Sequence, residues 1–265
     1  MAIPFFKAHG AGNDFLLSWR HQLAPGADIP AAARAICQRH TGIGADGWML
    51  MEPAQKPDAD ASIVLYNADG SVSEISGNGT RCVAAFLLDQ GLAPGPEVRI
   101  GTGAGLKHLR LLHRSGRHFE LEMNMGLPRT EDLRGTLALA AGPLEVAILN
   151  VGNPQCAVVV EEFPADWRAT GAEIERHPRF PNRTNVSFLR VLDPHRIEVR
   201  IWERGVGETN SSGTGSTGAA AASILRGLAK SPVTVETQAG PLEFRWDESM
   251  YLSGPVEIIG SGVFL

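Results

Sequence analysis

Two short runs carry the residue types best suited to holding a small anion and moving a proton: Ser76-Gly77-Asn78-Gly79-Thr80-Arg81-Cys82 and Ser212-Gly213-Thr214-Gly215-Ser216-Thr217-Gly218. Each reads as a glycine-rich turn opening a short apolar helix. The first N–H groups of a helix have no intrahelical acceptor and lie at the positive end of its dipole, so they bind carboxylates and phosphates. Taken singly, each serine is explained as a helix cap. The two serines are 136 positions apart, and each follows by nine positions a polar residue at a strand end, Asn67 and Glu203. As a pair they predict a cleft for a carboxylate, with two helix ends facing each other across a lobe interface.

The elements that must hold these turns repeat as well. Residues 5–9 and 15–17 read as strands around Gly10-Ala11-Gly12-Asn13-Asp14, and a helix is expected over 31–40 with Pro30 at its start. A strand at 48–51, a polar loop at 53–60 and a strand at 62–66 lead to the turn Asn67-Ala68-Asp69-Gly70-Ser71. A helix over 80–90, apolar all round and therefore buried, precedes strands at 98–102, 107–113 and 118–123. In the second half, strands at 144–150 and 156–160 flank Gly152-Asn153-Pro154, a strand at 197–202 enters Glu203-Arg204-Gly205, and a helix is expected over 216–228. Gly12-Asn13-Asp14 matches Gly152-Asn153-Pro154 at an offset of 140, and 98–105 matches 233–240 at an offset of 135. Matches in one order at nearly one spacing indicate duplication. The expected fold is α/β (α+β): two pseudo-symmetric lobes, each a bent, mostly antiparallel sheet wrapped around a central helix. The N-terminal lobe is placed at 1–115, completed by 257–265, and the C-terminal lobe at 116–256.

Bulk properties narrow the function classes. A net charge of −5 and the lack of any Lys/Arg-rich run exclude a nucleic-acid binder. Cys37, Cys82 and Cys156 show no paired spacing, no run approaches the length of a membrane span, and the start lacks the pattern of a signal peptide. The expectation is a soluble, cytoplasmic protein acting on a small molecule. No metal is assigned, because the eight histidines show no ligand spacing and Asp14, Asp46 and Asp69 sit in turns that explain them. Gly213, Gly215 and Gly218 satisfy a dinucleotide-type GxGxxG, but nine residues separate the preceding strand from Gly213 where that motif needs a tight turn.

The motifs together resemble the diaminopimelate epimerase family: Phe6 to Phe15, Asn67 to Ser71 with Gly77 to Cys82, Gly152-Asn153-Pro154, and Glu203 to Thr209 with Gly213-Thr214-Gly215. That resemblance implies a cofactor-independent amino-acid epimerase that interconverts LL- and meso-diaminopimelate. One group removes the α-proton while another delivers a proton to the opposite face. It implies that Asn13, Asn67, Asn153, Asn185 and Arg204 hold the distal end of the substrate and that Glu203 meets the ammonium of the reacting centre. The N–H groups of Gly77, Asn78, Gly213 and Thr214 then hold the α-carboxylate. The expected partner is a small diamino dicarboxylate, with a homodimer as the candidate assembly and no nucleic acid or membrane. Lysine and cell-wall precursor synthesis is the setting the family implies.

The chain departs from the family at the reacting centre, where Ser76 and Ser212 stand at the positions of its two catalytic cysteines. A thiol titrates near 8.5, and lower at a helix N-terminus, whereas a hydroxyl needs an adjacent base to become reactive. Gln155 replaces the family's histidine and Gly47 its glutamine. Three readings stay open: an epimerase whose cysteines were deliberately replaced, a divergent isomerase of another small carboxylate, and a non-catalytic amino-acid-binding protein.

Overall fold

The structure is a computed structural model that describes residues 2–54 and 58–265, so part of the loop expected at 53–60 lies outside the described residues. The chain forms two compact units, Met1–Met123 with Gly254–Leu265, and Asn124–Ser253. Within the first unit run β1 (Ile3–Gly10), β2 (Asn13–Trp19), α1 (Ile29–Cys37), β3 (Gly47–Pro53), β4 (Ala61–Asn67), β5 (Val72–Ser73), α2 (Gly77–Asp89), β6 (Glu97–Thr102), β7 (Gly105–Ser115) and β8 (His118–Gly126). The second holds β9 (Arg129–Leu139), β10 (Gly142–Asn150), β11 (Pro154–Val159), α3 (Trp167–Glu175), β12 (Asn185–Asp193), β13 (Arg196–Glu203), β14 (Gly207–Thr209), α4 (Gly213–Leu225), β15 (Val233–Thr237) and β16 (Gly240–Trp246). The last strand, β17 (Met250–Phe264), pairs with β16 through its first residues and with β1 through its later ones.

The pairing pattern itself is duplicated. In the first unit β1–β2 is antiparallel, β2–β3 parallel, β3–β4 antiparallel, β4–β6 parallel and β6–β7 antiparallel. In the second, β10–β11, β11–β12, β12–β13, β13–β15 and β15–β16 follow the same sequence of senses. The division between units differs from the expected one because β8 pairs with β7 from Ser115↔His118 to Leu109↔Met123, which keeps residues up to Met123 with the first sheet. The returning segment likewise starts at Gly254.

Each sheet packs one helix on either face. On one side α1 covers Ile3, Leu16, Trp48 and Leu50 with Ile29, Ala33 and Ile36, and α3 covers Val146, Val158, Val186 and Phe188 with Trp167 and Ile174. Burying each of these large side chains contributes about 1.5–3 kcal/mol. On the other side sits a helix with no solvent face. Every residue from Gly77 to Leu87 in α2 and from Gly213 to Ser223 in α4 is buried.

Several expected boundaries are corrected. The helix expected over 31–40 ends at Cys37, where Gln38 turns extended and the N–H groups of Ile43, Gly44 and Ala45 fold back onto the carbonyls of Ile36 and Cys37. The two central helices start at Gly77 and Gly213, three residues before the expected positions, because serine caps let the glycines join the first turn. The second ends at Leu225, where the Leu228 and Ala229 N–H groups close on Ser223 O. Helix α3 and strands β5, β9, β12, β14 and β16 were not anticipated.

Glycine 79 shows how closely α2 is docked. A β-carbon there would clash with Met49 Cε and lie 3.2 Å from Phe15 Cε1. Gly79→Ala is therefore expected to overpack this contact and lower unfolding stability by roughly 1–3 kcal/mol, measured by urea denaturation. An unchanged midpoint would mean that the sheet yields freely at this point.

Candidate active site

The two serines do the same local work. Ser76 lies in extended backbone as the cap of α2, and its Oγ accepts the Gly79 N–H at 3.1 Å. Ser212 caps α4 in the same conformation and accepts the Gly215 N–H at 3.1 Å. The N–H groups of Gly77, Asn78, Gly213 and Thr214 thus occupy the first two positions of their helices, where no intrahelical acceptor exists.

In the first unit, Asn13 and Asn78 are brought together with an ionic cluster. Asn78 Nδ2 donates to Asn13 Oδ1 at 3.2 Å, and Asn13 Nδ2 donates to Asp46 Oδ2 at 2.6 Å. Arg39 Nη2 donates to Asp46 Oδ1 at 2.7 Å and to Asp14 Oδ1 at 2.8 Å, while Lys7 Nζ lies 3.0 Å from Asp14 Oδ2. Burial pushes the Asp14 carboxyl up, but hydrogen bonds and charge from Arg39 and Lys7 outweigh it and leave the group below its ordinary value. Asn67 ends β4 opposite Gly47, donates its side chain to Ser71 Oγ at 3.0 Å, and is followed by Ala68, whose N–H donates to Asp46 O.

At the other end of this chain of amides is Arg81. It is fully buried, donating from Nη2 to Asn78 Oδ1 at 2.8 Å and from Nη1 to Gly77 O at 3.4 Å. Burial lowers its pKa to about 10, so it remains a cation at neutral pH, and no carboxylate among the described residues pairs with it. Donors run from Arg81 through Asn78 and Asn13 to Asp46, which fixes the orientation of both amides.

The second unit assembles its own set. Asn153 Nδ2 donates to Thr214 Oγ1 at 3.3 Å, Gln155 Nε2 donates to Asn153 Oδ1 at 2.6 Å, and Asn185 Nδ2 donates to Pro154 O at 3.0 Å. The Arg204 N–H donates to Asn185 Oδ1 at 3.0 Å, and its Nη1 donates to Asn182 O at 3.3 Å. Glu203, the last residue of β13, pairs with Gly207 across a tight turn. Asn13 is thus joined to the first turn of α2 and Asn153 to that of α4, while Asn185 links the Glu203-Arg204 turn to Pro154. Asp46, Arg39 and the buried state of Arg81 were missed, because their partners are distant in sequence and their types alone suggested turn or surface roles.

A diaminopimelate epimerase sequence profile matches residues 5–130 and 147–259. A diaminopimelate epimerase of Pelotomaculum thermopropionicum is 40% identical over 277 residues, covering 98% of each chain. One from Moorella thermoacetica is 38% identical over 277 residues with the same coverage. The chain belongs to the diaminopimelate epimerase family. Among solved structures, a hydroxyproline epimerase from Agrobacterium vitis has a TM-score of 0.80 at 18% identity, covering 99% of this chain and 90% of that one. A methylitaconate-delta-isomerase has a TM-score of 0.70 at 15% identity, covering 100% and 96%. These likenesses show a common α+β fold. Membership of the family supports an amino-acid epimerase.

Ser76 and Ser212 are the expected acid–base positions. No carboxylate, imidazole or amine among the described residues is hydrogen-bonded to Ser76 Oγ or Ser212 Oγ. The remaining thiols offer no substitute, since burial raises Cys37 and Cys82 to about 12 and pushes Cys156 up as well. Gln155 packs against α4, where a β-carbon on Gly218 would sit 2.9 Å from its Cβ and Cγ. At Gly47 a β-carbon would lie 2.9 Å from Leu65 Cδ1, so the position has no room for the family's glutamine without movement.

The ionic cluster that anchors Asn13 carries a pH signature. The folded Asp14 carboxyl titrates below its ordinary value of 3.8, so its stabilisation is complete above that value and is lost as pH falls through the lower folded value. Asp14→Asn is expected to cost roughly 1–3 kcal/mol at neutral pH and to flatten the acid limb of the stability profile. Urea unfolding across the acid range reads both effects, and parallel acid limbs for the two proteins would contradict the assignment.

Proposed function

We propose that this protein is an amino-acid epimerase of the diaminopimelate type whose binding apparatus is present apart from the family's glutamine at position 47 and whose proton transfer is slow. The substrate is a diamino dicarboxylate. Its α-carboxylate is met by the N–H groups of Gly77, Asn78, Gly213 and Thr214, its distal end by Asn13, Asn67, Asn153, Asn185 and Arg204, and its reacting ammonium by Glu203. Arg204 suits a carboxylate through its planar fork of donors. The observation that carries this reading is the pair of serine-capped helix N-termini, each tied by hydrogen bonds to asparagines of its own unit.

Ser76 and Ser212 are the two proton-transfer positions in this reading. Negative charge that develops on the carboxylate during deprotonation is stabilised by preorganised N–H donors, so the reaction needs no cofactor. What is missing is a base of suitable pKa, since neither hydroxyl has a partner to accept its proton. Gln155 and Gly47 favour a second reading, in which the same apparatus isomerises a different small carboxylate.

Proton NMR of LL- and meso-diaminopimelate in heavy water tests the proposal. The unmodified chain is expected to incorporate α-deuterium slowly, and the Ser76→Cys/Ser212→Cys variant to exchange roughly 10²–10⁴-fold faster. Rapid exchange by the unmodified chain would refute the claim that the hydroxyls limit it. An inert cysteine variant would shift the case to another substrate, and calorimetric binding without exchange in either form would indicate a binder.

A further inference from the structure

Glu175, the last residue of α3, is a buried carboxylate with 2% exposure and a full set of donors. Its Oε1 accepts the Gly205 N–H at 2.9 Å and Arg183 Nη1 at 3.4 Å, and its Oε2 accepts Trp202 Nε1 at 3.0 Å. Trp202 and Gly205 bracket the dipeptide Glu203-Arg204. The indole is seated a second time against α3, where a β-carbon on Gly171 would come within 3.1 Å of Trp202 Cβ.

The Arg204 α-carbon is thereby held from both sides. Its own N–H donates to Asn185 Oδ1 at 3.0 Å, and the N–H of the next peptide donates to Glu175. The clamp is itself closed, because the Thr184 N–H, one residue before Asn185, donates to Glu175 O at 3.3 Å. Gly205 adopts a φ of 77°, a left-handed turn that a loosened 204–205 peptide would readily leave. Burying a carboxylate is expensive unless donors satisfy it, and two of the three donors here belong to residues flanking the Glu203-Arg204 pair.

We infer that Glu175 is a positioning residue that fixes the aim of Arg204 at the distal carboxylate of the substrate. This rests on the proposed function only in taking Arg204 as a carboxylate ligand. A bidentate guanidinium–carboxylate contact tolerates little displacement, so a freed turn weakens it without removing the charge.

A double-mutant cycle read by calorimetric binding of meso-diaminopimelate tests the inference. Glu175→Gln keeps the shape but offers an NH₂ in place of one acceptor oxygen. It is expected to weaken binding about tenfold in the otherwise unmodified chain and less than about twofold when Arg204→Met is already present, because a residue acting through another is non-additive with it. Equal weakening in both backgrounds overturns the inference and leaves a purely structural carboxylate. Should Glu175→Gln fail to fold, Glu175→Asp retains the charge one methylene short and must show the same non-additivity. If the unmodified chain does not bind the ligand, or Arg204→Met leaves binding unchanged, the proposed function fails and takes the inference with it. An additive result with intact dependence on Arg204 removes the inference alone.

Discussion

A helix whose first turn is buried presents backbone N–H groups that water cannot satisfy, and both central helices are in that state. A serine oxygen takes the third N–H in each, at Gly79 and Gly215, leaving the first two positions suited to an anion. In the proposed function the same oxygen stands at the acid–base position. Capping and proton abstraction make the same demand, an electron-rich acceptor at the helix end. A thiolate meets both, because the helix N-terminus that it caps also lowers its pKa. A hydroxyl meets the first demand fully, and the second only with help from a base that neither unit supplies. The cap therefore secures the helix end.

The duplicated plan is not electrostatically symmetric. At the position of Arg81 in α2, α4 carries Thr217, whose hydroxyl donates to Gly213 O at 2.6 Å much as Arg81 Nη1 donates to Gly77 O. One helix end thus has a hydroxyl satisfying its first carbonyl, and the other a whole positive charge with no carboxylate paired to it among the described residues. An unpaired buried cation is costly, and an anion held at the adjacent N–H groups would offset that cost. The dipole of α2 and the charge of Arg81 act in the same direction there.

What was legible in the sequence was local. Serine, glycine and asparagine at turns have conformational and capping roles that survive any context, so the paired turns, the repeat and most strands could be read directly. The helix starts at 77 and 213 were missed because glycine disfavours helix, and only burial and the serine cap overcome that preference. Helix α3 was overlooked although its buried residues, Trp167, Gly171, Ile174 and Glu175, fall at helical spacing. Its Gly171 lowers helix propensity and is required by the Trp202 side chain that lies over it. The contacts that aim the site residues, Asp46 on Asn13 and Glu175 on Gly205, span 33 and 30 positions. No periodicity or motif encodes such pairs before the sheet brings them together.

Ser76, Ser212 and Gln155, which depart from the family pattern, each keep a hydrogen bond at their position. Gln155 donates to Asn153 and so keeps that amide aimed at Thr214, a task that an imidazole N–H performs equally well. The difference is that an amide does not titrate near neutrality, whereas an imidazole does. The replacements at 76, 212 and 155 share this character. Each preserves a hydrogen-bonding role within its unit and removes a group able to exchange a proton near pH 7. Both caps and the Asn153 contact are intact, and the cost falls on one atom, the buried Gln155 Oε1, which has no hydrogen-bond partner among the described residues.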